Sequence, residues 1–319
     1  MTFVFFCKWR LKLGDLVFSN LTKAFSWLAF LLLICVLLSL IVASAPALHA
    51  FGFHFLLSDS WDPVNGDFGA LSAISGTLMT SVIAMFIGVP LSVGIAVFIS
   101  EISQGKISKT VRTLIDLMAG IPSIIYGMWG LLVLAPFLSN YVQPQISDAV
   151  ENIPILEDLF GGPPLGIGIF TAGLILAIMI IPYISSTLID MFRSVPPVLK
   201  EAAYGIGATR FEVVRKVIFP YVRKGMIGSL MLGLGRALGE TMAVTFVIGN
   251  SKQLTSSLFM PGTTISASIA NEFNEATGRL YPASLLELGV ILFVLSCLIL
   301  GFARLFLLRI NKKSEGAKI

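Results

Sequence analysis

The chain has 319 residues, of which 56% are hydrophobic and only 13% are charged, and its mean hydropathy is +0.90. A soluble globular domain carries about 25% charged residues, so this composition excludes a soluble protein and predicts an integral membrane protein. The net charge of +4 is small. We read it as a sign of membrane topology and expect no nucleic-acid partner.

Six apolar runs reach the roughly 20 residues that a helix needs to cross the hydrocarbon core of a bilayer. Backbone polar groups in lipid must be hydrogen-bonded internally, so these runs are predicted as helices rather than open strands. The expected spans are residues 24–45, 72–99, 114–138, 167–189, 225–248 and 285–308. The predicted fold class is therefore an all-α integral membrane protein with six transmembrane helices, whose core is residues 72–308.

The first run, residues 24–45, permits two interpretations. Basic residues precede it and small residues follow it in "ASAPALHA", as in a cleavable signal peptide. However, the run is longer than the about 7–15 apolar residues of a signal-peptide core, and five further runs follow it. We therefore expect a retained membrane anchor.

The placement of lysine and arginine predicts the orientation of the chain, because cytoplasmic loops are enriched in these residues. All but three of the 22 basic residues lie in alternate segments. These segments are the N-terminal segment 1–23, the loop after the second run, the loop between the fourth and fifth runs, and the C-terminal end with the tail 309–319. The exceptions are Arg236, Lys252 and Arg279. Both termini are thus predicted to be cytoplasmic, whereas the acidic loops 46–71 and 139–165 face outward.

The cytoplasmic loop 190–222 contains "KEAAYGIGATRFEVVRKVIFP", residues 200–220. Its Glu201–Ala203 triplet begins a helical segment that Gly207 interrupts. Apolar residues then recur at helical spacing, and we expect Pro220 to end this second helix. The residues alone permit either an elbow that inserts into a groove on another protein or a loop that lies on lipid headgroups.

The fifth run carries two charged residues in "GLGRALGETMAV", residues 233–244. Arg236 lies 13 residues beyond Arg223, hence about 20 Å along the helix and near the middle of the bilayer. An arginine there costs roughly 2.5–3.5 kcal/mol, so it requires a partner. Glu240, one helical turn further on, or an acidic residue of another helix is the expected partner.

Two interpretations of this pair remain open. In the first, Arg236 and Glu240 form a buried ion pair that fixes helix packing. In the second, Arg236 binds a passing anion, because its planar guanidinium donates two parallel hydrogen bonds to an oxyanion. Glu240 then holds the arginine while the path is empty. Thr241, which follows on the same helix, is included in the predicted pathway.

Three further predictions concern the spans. Gly235 and Gly239 form a GxxxG pair, which predicts the close approach of another helix. Asp116 and Glu287 are weaker pathway candidates, since Asp116 can pair with Arg112 and Glu287 lies near the outer start of the sixth run. The cysteines and histidines have no metal-ligand spacing, so no metal site is expected.

The cytoplasmic loop resembles the EAA loop of ABC-importer permeases, in which Glu-Ala-Ala is followed by three residues, Gly, nine residues and Ile-x-Leu-Pro. The matching positions hold Glu201, Ala202, Ala203, Gly207 and Pro220, with Val217 and Phe219 in place of the Ile and Leu. The resemblance implies a type-I importer fold and a loop that docks onto a separate ATP-binding subunit. The sequence has no GxxxxGK[ST] phosphate loop, in agreement with an ATPase on another chain. We expect no cofactor on this chain.

Most of the chain beyond the first helix resembles the permease subunits of phosphate ABC importers. The similar stretches are residues 61–71, 69–101, 117–131, 233–250 and 258–276. Such an importer has two permease subunits. This sequence resembles one of them through "MAVTFVIGN", whereas the companion permease differs in this stretch. The resemblance implies import of inorganic phosphate across the bacterial cytoplasmic membrane by alternating access. It also implies a homologous second permease, two ATP-binding subunits and an extracytoplasmic phosphate-binding protein as partners.

Other function classes remain as alternatives. A permease for another oxyanion, such as sulfate, molybdate or phosphonate, has the same architecture. A secondary anion transporter or channel accounts for a buried charge but has no use for the EAA loop. The spans contain no nucleophile–base pair or metal cluster, so the chain is predicted to be non-catalytic.

Overall fold

The computed structural model describes residues 2–103, 105–151 and 153–315, with side chains described between residues 14 and 305. The described chain is helical apart from one short hairpin and its loops. Its α-helices are α1 (Thr2–Phe51), α2 (His54–Leu57), α3 (Leu71–Val97), α4 (Lys106–Ala119), α5 (Ser123–Trp129), α6 (Ala135–Phe137), α7 (Gln143–Val150), α8 (Pro154–Phe160), α9 (Ile169–Arg193), α10 (Pro197–Gly205), α11 (Arg210–Val213), α12 (Phe219–Gly239), α13 (Met242–Val247), α14 (Ile265–Glu272) and α15 (Leu280–Glu315). The hairpin pairs β1 (Trp61–Asp62) with β2 (Asp67–Phe68) in antiparallel register.

Six helical segments of the described chain are long and apolar enough to cross a membrane, which confirms the predicted number. They are Gly14–Phe51, Leu71–Ile102, Ser123–Val150, Ile169–Arg193, Arg210–Gly239 and Leu280–Leu305. Short π-helical turns are built into three of these segments. The turns are Phe98–Ile102, Gly130–Leu134, Leu138–Val142 and Val214–Ile218.

The third spanning segment lies further along the chain than the sequence predicts. One helix over residues 114–138 is a wrong prediction, because α4 ends at Ala119 and α5 begins at Ser123. Pro122 separates the two helices, since proline lacks a backbone N–H and disfavours a helical conformation in the residue before it. The first part of the predicted span therefore belongs to a separate helix in the loop.

Helices also extend into segments that were expected to be loops. α1 continues to Phe51, beyond residue 45, and α15 begins at Leu280, before residue 285. The predicted outer loop 139–165 contains α7 and α8. Element ends thus differ from the apolar runs because helices continue past the point where hydropathy falls.

α9 forms the centre of the bundle. Two thirds of its most apolar stretch is buried, and α3 packs along it at two glycines. A Cβ atom at Gly88 would lie 2.9 Å from the Ile180 side chain, and one at Gly173 would lie 2.6 Å from the Ile83 side chain. Only glycine allows such an approach, so α3 and α9 form one closely packed pair.

The two ends of the bundle differ in construction. The hairpin end carries β1, β2 and α14, and the loop end carries α4, α10 and α11. A polar cluster at the hairpin end, here called the hairpin clasp, consists of Trp61, Lys252, Ser268, Glu272 and Tyr281. Glu272 accepts hydrogen bonds from Trp61 Nε1 at 2.7 Å and from the Tyr281 hydroxyl at 2.8 Å, and it pairs with Lys252.

Lys252 completes the hairpin clasp. Its Nζ donates to Ser268 Oγ at 2.8 Å and lies 4.8 Å from the centre of the Trp61 ring. Burial lowers the pKa of Lys252, and the hydrogen bond to Glu272 opposes this shift. The clasp therefore joins the hairpin, α14, the loop after α13 and the start of α15 through groups whose polar atoms are satisfied.

Candidate functional site

Arg236 lies in the last turn of α12, where the fifth spanning segment ends. The backbone leaves the helix at Glu240, with φ −69° and ψ 131°, and α13 begins at Met242. One continuous helix over residues 225–248 is therefore a wrong prediction. The break is accompanied by a local hydrogen bond, since Glu240 Oε1 accepts from the backbone N–H of Ala243 at 3.4 Å. The carboxylate thus caps the start of α13.

The guanidinium of Arg236 lies over the ring of Tyr183 in α9, with 4.2 Å between its central carbon and the ring centre. Its Nε atom is buried and has no hydrogen-bond partner among the described residues. Within the described ranges, no carboxylate oxygen lies within 4.0 Å of the Arg236 nitrogens. The predicted ion pair with Glu240 is therefore wrong, because Glu240 leaves the helical path and caps α13.

Tyr183 contacts Arg236 in this candidate site, although the sequence pattern does not single it out for that contact. Its hydroxyl donates to the backbone oxygen of Ala119, the last residue of α4, at 3.1 Å. A cation over an aromatic ring gains about 0.5–2 kcal/mol, which offsets part of the cost of placing an arginine at this depth. One feature of the sequence marks Tyr183: it directly follows Pro182 in an apolar run, where its polar hydroxyl needs a hydrogen-bond partner.

Thr241 and Glu240 are both half-buried at the break. The Thr241 hydroxyl donates to the backbone oxygen of Gly239 at 3.4 Å, and the Thr241 carbonyl accepts from the Thr245 hydroxyl at 2.8 Å. The structure thus brings the three predicted pathway residues to one interruption of the helix. No hydrogen bond joins Arg236 to either of the other two.

The predicted packing role of Gly235 and Gly239 is wrong for contacts within the chain. A Cβ atom at Gly239 would meet nothing within 4 Å, and one at Gly235 would make an ordinary 3.9 Å contact. The close approach occurs at Gly225 and Gly233 instead, where a Cβ atom would lie 2.6 Å from Met191 and 2.5 Å from Ile184. The reason is the rotation of α12, which turns the Gly225 and Gly233 face toward α9.

The weaker candidates lie elsewhere. Asp116 belongs to α4, is half-exposed, and contacts Arg112 at 3.8 Å and the Ser186 hydroxyl at 3.2 Å. The expected pair with Arg112 is thus present, while the placement of Asp116 at the start of a span is wrong.

Glu287 lies two turns into α15 and is buried, with 6% exposure. Its Oε2 atom has no partner among the described residues. It lines a cavity of about 680 Å³ between α1 and α15. The structure shows no contact between either acid and Arg236.

The EAA loop folds as the predicted helix–glycine–helix elbow. Glu201–Ala203 lie in α10, and Gly207 adopts φ +88°, a left-handed conformation that favours glycine. Thr209 then caps α11, since its hydroxyl accepts from the Glu212 N–H at 3.4 Å and the Glu212 carboxylate accepts from the Thr209 N–H at 3.0 Å. This capping box begins the second helix.

Pro220 does not end the second helix, contrary to the prediction. The π-helical turn Val214–Ile218 joins α11 to α12 in one segment, Arg210–Gly239. Pro220 occupies the first turn of α12. Pro220 follows the π-helical turn directly, so its missing N–H falls where the hydrogen-bond pattern already changes from π-helical to α-helical.

The tip of the EAA loop exposes apolar side chains. Ile206 is 88% exposed and Phe211 is 69% exposed, whereas Ala203 packs toward the core. Glu201 and Ala202 are exposed beside them. Clustered exposed apolar side chains mark interaction sites.

The part of the chain that the structure describes contains no group of three or more His, Cys, Asp or Glu side chains that could hold a metal ion.

A model of the family described as "Binding-protein-dependent transport system inner membrane component" matches residues 88–312. The chain belongs to this family. The match includes Arg236, Tyr183 and the whole EAA loop. The permease is thus a multi-pass protein of the inner membrane and a transmembrane component of an ABC transporter.

Two curated relatives cover nearly the whole permease. One, from Mesorhizobium japonicum, is 54% identical over 305 residues, which are 96% of the permease and 93% of the relative. The other, from Haemophilus influenzae, is 51% identical over 296 residues, which are 93% and 94% of the two chains. Both are named "Phosphate transport system permease protein PstC".

A solved structure has the same fold. It is a bacterial alginate ABC transporter in complex with a periplasmic protein that carries an alginate pentasaccharide. The TM-score is 0.58 at 21% identity, and the match covers 90% of the permease and 96% of that chain. This likeness shows the type-I importer fold of the permease.

Proposed function

We propose that the chain is the permease subunit through which an ATP-driven importer moves inorganic phosphate across the cytoplasmic membrane. The single observation that carries the pathway assignment is the state of Arg236. Its guanidinium is held by a ring, and no carboxylate of the described chain lies within 4.0 Å of it. The names of relatives at 54% and 51% identity support phosphate as the cargo.

The geometry of Arg236 suits transient binding of an oxyanion. The contact with Tyr183 uses no carboxylate, and the buried Nε of Arg236 has no hydrogen-bond partner among the described residues, so N–H donors remain for a ligand. A bidentate pair of hydrogen bonds then recognises two phosphate oxygens. Glu240, four residues away in the chain, opposes anion binding and so favours release, which a conduit needs as much as entry.

The helix break beside Arg236 supports the same assignment. Interrupted helices at membrane depth are tolerated where the freed backbone groups line a cavity or are buried in protein. Transporters commonly use such breaks to place substrate sites between half-helices. Arg236, Glu240 and Thr241 are therefore the proposed pathway residues, with Tyr183 holding the arginine.

The EAA loop is the proposed docking site for the ATP-binding subunits. Its exposed Ile206 and Phe211 provide apolar contacts, and Glu201 and Ala202 form the exposed face of α10. Gly207 and Pro220 shape the loop. In this proposal ATP binds to two partner subunits, and this chain performs no covalent chemistry and needs no cofactor. ATP-driven closure of the partner subunits is transmitted through the loop to the helices, which alternate access to the path.

The lysine and arginine distribution supports cytoplasmic termini and a cytoplasmic EAA loop. The hairpin end then faces outward, where an extracytoplasmic phosphate-binding protein delivers the cargo. A homologous second permease completes the path. This orientation places ATP and cargo on opposite ends of the molecule.

The test is uptake of labelled phosphate at micromolar concentration by cells that lack the native gene. Cells carry the unsubstituted gene, Arg236→Gln, Arg236→Lys or Arg279→Gln, and immunoblots check membrane assembly. We expect Arg236→Gln to lower uptake by about tenfold or more, since it removes charge-assisted hydrogen bonds to the anion. Arg236→Lys keeps the charge without the planar fork, so partial activity is expected.

Arg279→Gln is the matched control, because Arg279 is an exposed arginine outside the spanning segments. Its uptake should equal that of the unsubstituted permease. Normal uptake by an assembled Arg236→Gln variant would remove Arg236 from the pathway. Stronger competition by sulfate, molybdate or phosphonate than by unlabelled phosphate would overturn the cargo assignment.

A further inference from the structure

Lys200 directly precedes the Glu201–Ala203 triplet in α10. Its Nζ donates a 2.6 Å hydrogen bond to Oε1 of Glu101 and a longer one of 3.4 Å to the backbone oxygen of Phe192. The side chain of Glu101 is 7% exposed and that of Lys200 is 20% exposed. We call Lys200, Glu101 and Phe192 the loop tie. Charge-assisted hydrogen bonds in such shielded positions are stronger than those between exposed groups.

The loop tie joins α10 to the ends of two spanning helices. Glu101 lies in the π-helical turn Phe98–Ile102 that ends the second spanning segment, and fully buried Phe192 lies at the end of α9. The two segments are themselves locked together by the glycine contacts of α3 with α9. A displacement of α10 that is carried by Lys200 therefore acts on both helices at once.

Apart from the loop tie, α10 packs against the core through the partly buried Ala203. None of its residues is buried. Within the described ranges, Lys200–Glu101 is the ion pair that links α10 to a spanning segment, while the other pairs at this end join α4 to α9 or lie within one helix. Movement of α10 is therefore transmitted to the spanning helices largely through Lys200.

The local structure at Glu101 permits movement. A π-helical turn contains one residue more than an α-helical turn and is common at functional sites. The turn is fixed by the Ser108 hydroxyl, which donates to the backbone oxygen of Ile99 at 2.9 Å. Glu101 thus lies on a local irregularity of the helix, of the kind that is frequent at functional sites.

We propose that Lys200 and Glu101 are positioning residues that transmit movement of the EAA loop to the paired helices α3 and α9. The inference rests on the proposed function, because α10 is displaced only when an ATPase docks on the loop. The role belongs to the pair rather than to the EAA triplet itself. Glu201 and Ala202 are exposed on the docking side, whereas Ala203 packs against the core and Lys200 contacts the ends of the membrane-spanning helices.

The experiment uses the full transporter, with both permeases, the ATP-binding subunits and the binding protein, reconstituted in proteoliposomes. Phosphate uptake and ATP hydrolysis are measured in the same vesicles. For Glu101→Gln and Lys200→Gln we expect hydrolysis to persist while phosphate transported per ATP falls about fivefold or more, a typical size for coupling between sites. The doubly substituted, charge-swapped variant Glu101→Lys with Lys200→Glu should restore the ratio toward that of the unsubstituted complex.

Lys216→Gln is the matched control. Lys216 pairs with Glu212 at 2.9 Å in the same loop, but its side chain is 69% exposed and the pair lies within one turn. Its ratio of phosphate to ATP should not change. If Glu101→Gln does not assemble, Lys200→Gln decides the question, since α10 has no buried residue whose packing the change could disturb.

Three outcomes overturn the inference. A parallel fall of uptake and hydrolysis indicates a merely structural pair, and an unchanged ratio in both single variants indicates no role in coupling. Either result, with normal phosphate uptake by the unsubstituted complex, leaves the proposed function intact. An unsubstituted complex that hydrolyses ATP but takes up no phosphate overturns the proposed function and the inference together.

Discussion

The hairpin end and the loop end of the permease differ in how far their ion pairs are shielded from water. In the hairpin clasp, one carboxylate receives an indole N–H, a phenol and an ammonium group from separate parts of the chain. At the loop end, Arg112–Asp190 and Lys216–Glu212 are partly or largely exposed. Exposed ion pairs contribute about 0–1 kcal/mol. The difference indicates a fixed hairpin end and an adjustable loop end, with the loop tie as its shielded exception.

The backbone shows the same contrast. At the hairpin end, Gly76 of α3 lets the loop before α14 approach so closely that a Cβ atom would lie 1.9 Å from the Thr263 carbonyl oxygen. At the loop end, the π-helical turns Phe98–Ile102 and Val214–Ile218 flank the elbow. A close backbone contact resists displacement, whereas a π-helical turn interrupts the regular α-helical hydrogen-bond pattern.

The largest effect is expected from overpacking the fixed end. Gly76→Ala forces the Thr263 backbone to move and should lower the free energy of unfolding by about 3 kcal/mol. Gly94→Ala is the control on the same helix, because a Cβ atom there meets nothing within 4 Å. The control should be neutral or more stable by about 0.5–1 kcal/mol. Thermal denaturation of the purified permease measures both, and equal midpoints would contradict a rigid contact at Gly76.

An intermediate effect is expected in the hairpin clasp. Glu272→Gln keeps the side-chain volume but removes the charge that Lys252 and two neutral donors require, so a loss of about 2 kcal/mol is expected. The exposed Glu275→Gln nearby is the control and should leave the unfolding midpoint unchanged. Limited proteolysis of the hairpin should also become faster in Glu272→Gln alone. A midpoint equal to that of the control would show that the clasp does not fix this end.

The smallest effect is expected at the loop end. Asp190→Asn breaks the 2.7 Å contact with Arg112, but the aspartate side chain is 61% exposed. The free energy of unfolding should therefore change by no more than about 1 kcal/mol, and raised salt should reduce the difference further. The same denaturation assay in low and high salt measures this. A shift as large as that of Glu272→Gln would erase the contrast between the two ends.

Several features could be predicted from the sequence because they depend on local chemistry. The six spans follow from the length of apolar runs, and the elbow follows from a left-handed glycine between two helix-forming segments. The family resemblance also rests on contiguous residues, namely Glu201–Ala203, Gly207 and the stretch around Arg236. Each of these patterns consists of residues close together in the sequence, so it can be recognised without knowledge of any tertiary contact.

Other features could not be predicted, since they depend on how helices are rotated and where they break. Arg236 and Glu240 have the spacing of a helical pair, but Glu240 leaves the helix and caps α13. Gly235 and Gly239 have the spacing of a packing motif, but Gly225 and Gly233 face α9. The partner of Arg236 is Tyr183, 53 residues earlier in the chain. The position of Tyr183 in an apolar run indicates that it needs a polar partner, but it does not indicate that Arg236 lies against its ring.

The cation–ring contact of Arg236 has a consequence for the energetics of the transport cycle. A ring holds the arginine in place without an ion pair, so the guanidinium is an unpaired cation in the vacant path, where a low dielectric constant strengthens its attraction for an anion. An entering phosphate anion neutralises that charge. Under the proposed function, the vacant transporter is then the electrostatically costly state and the loaded one is relaxed. Cargo would stabilise the permease before any ATP is hydrolysed, and ATP would be needed chiefly to let the anion go.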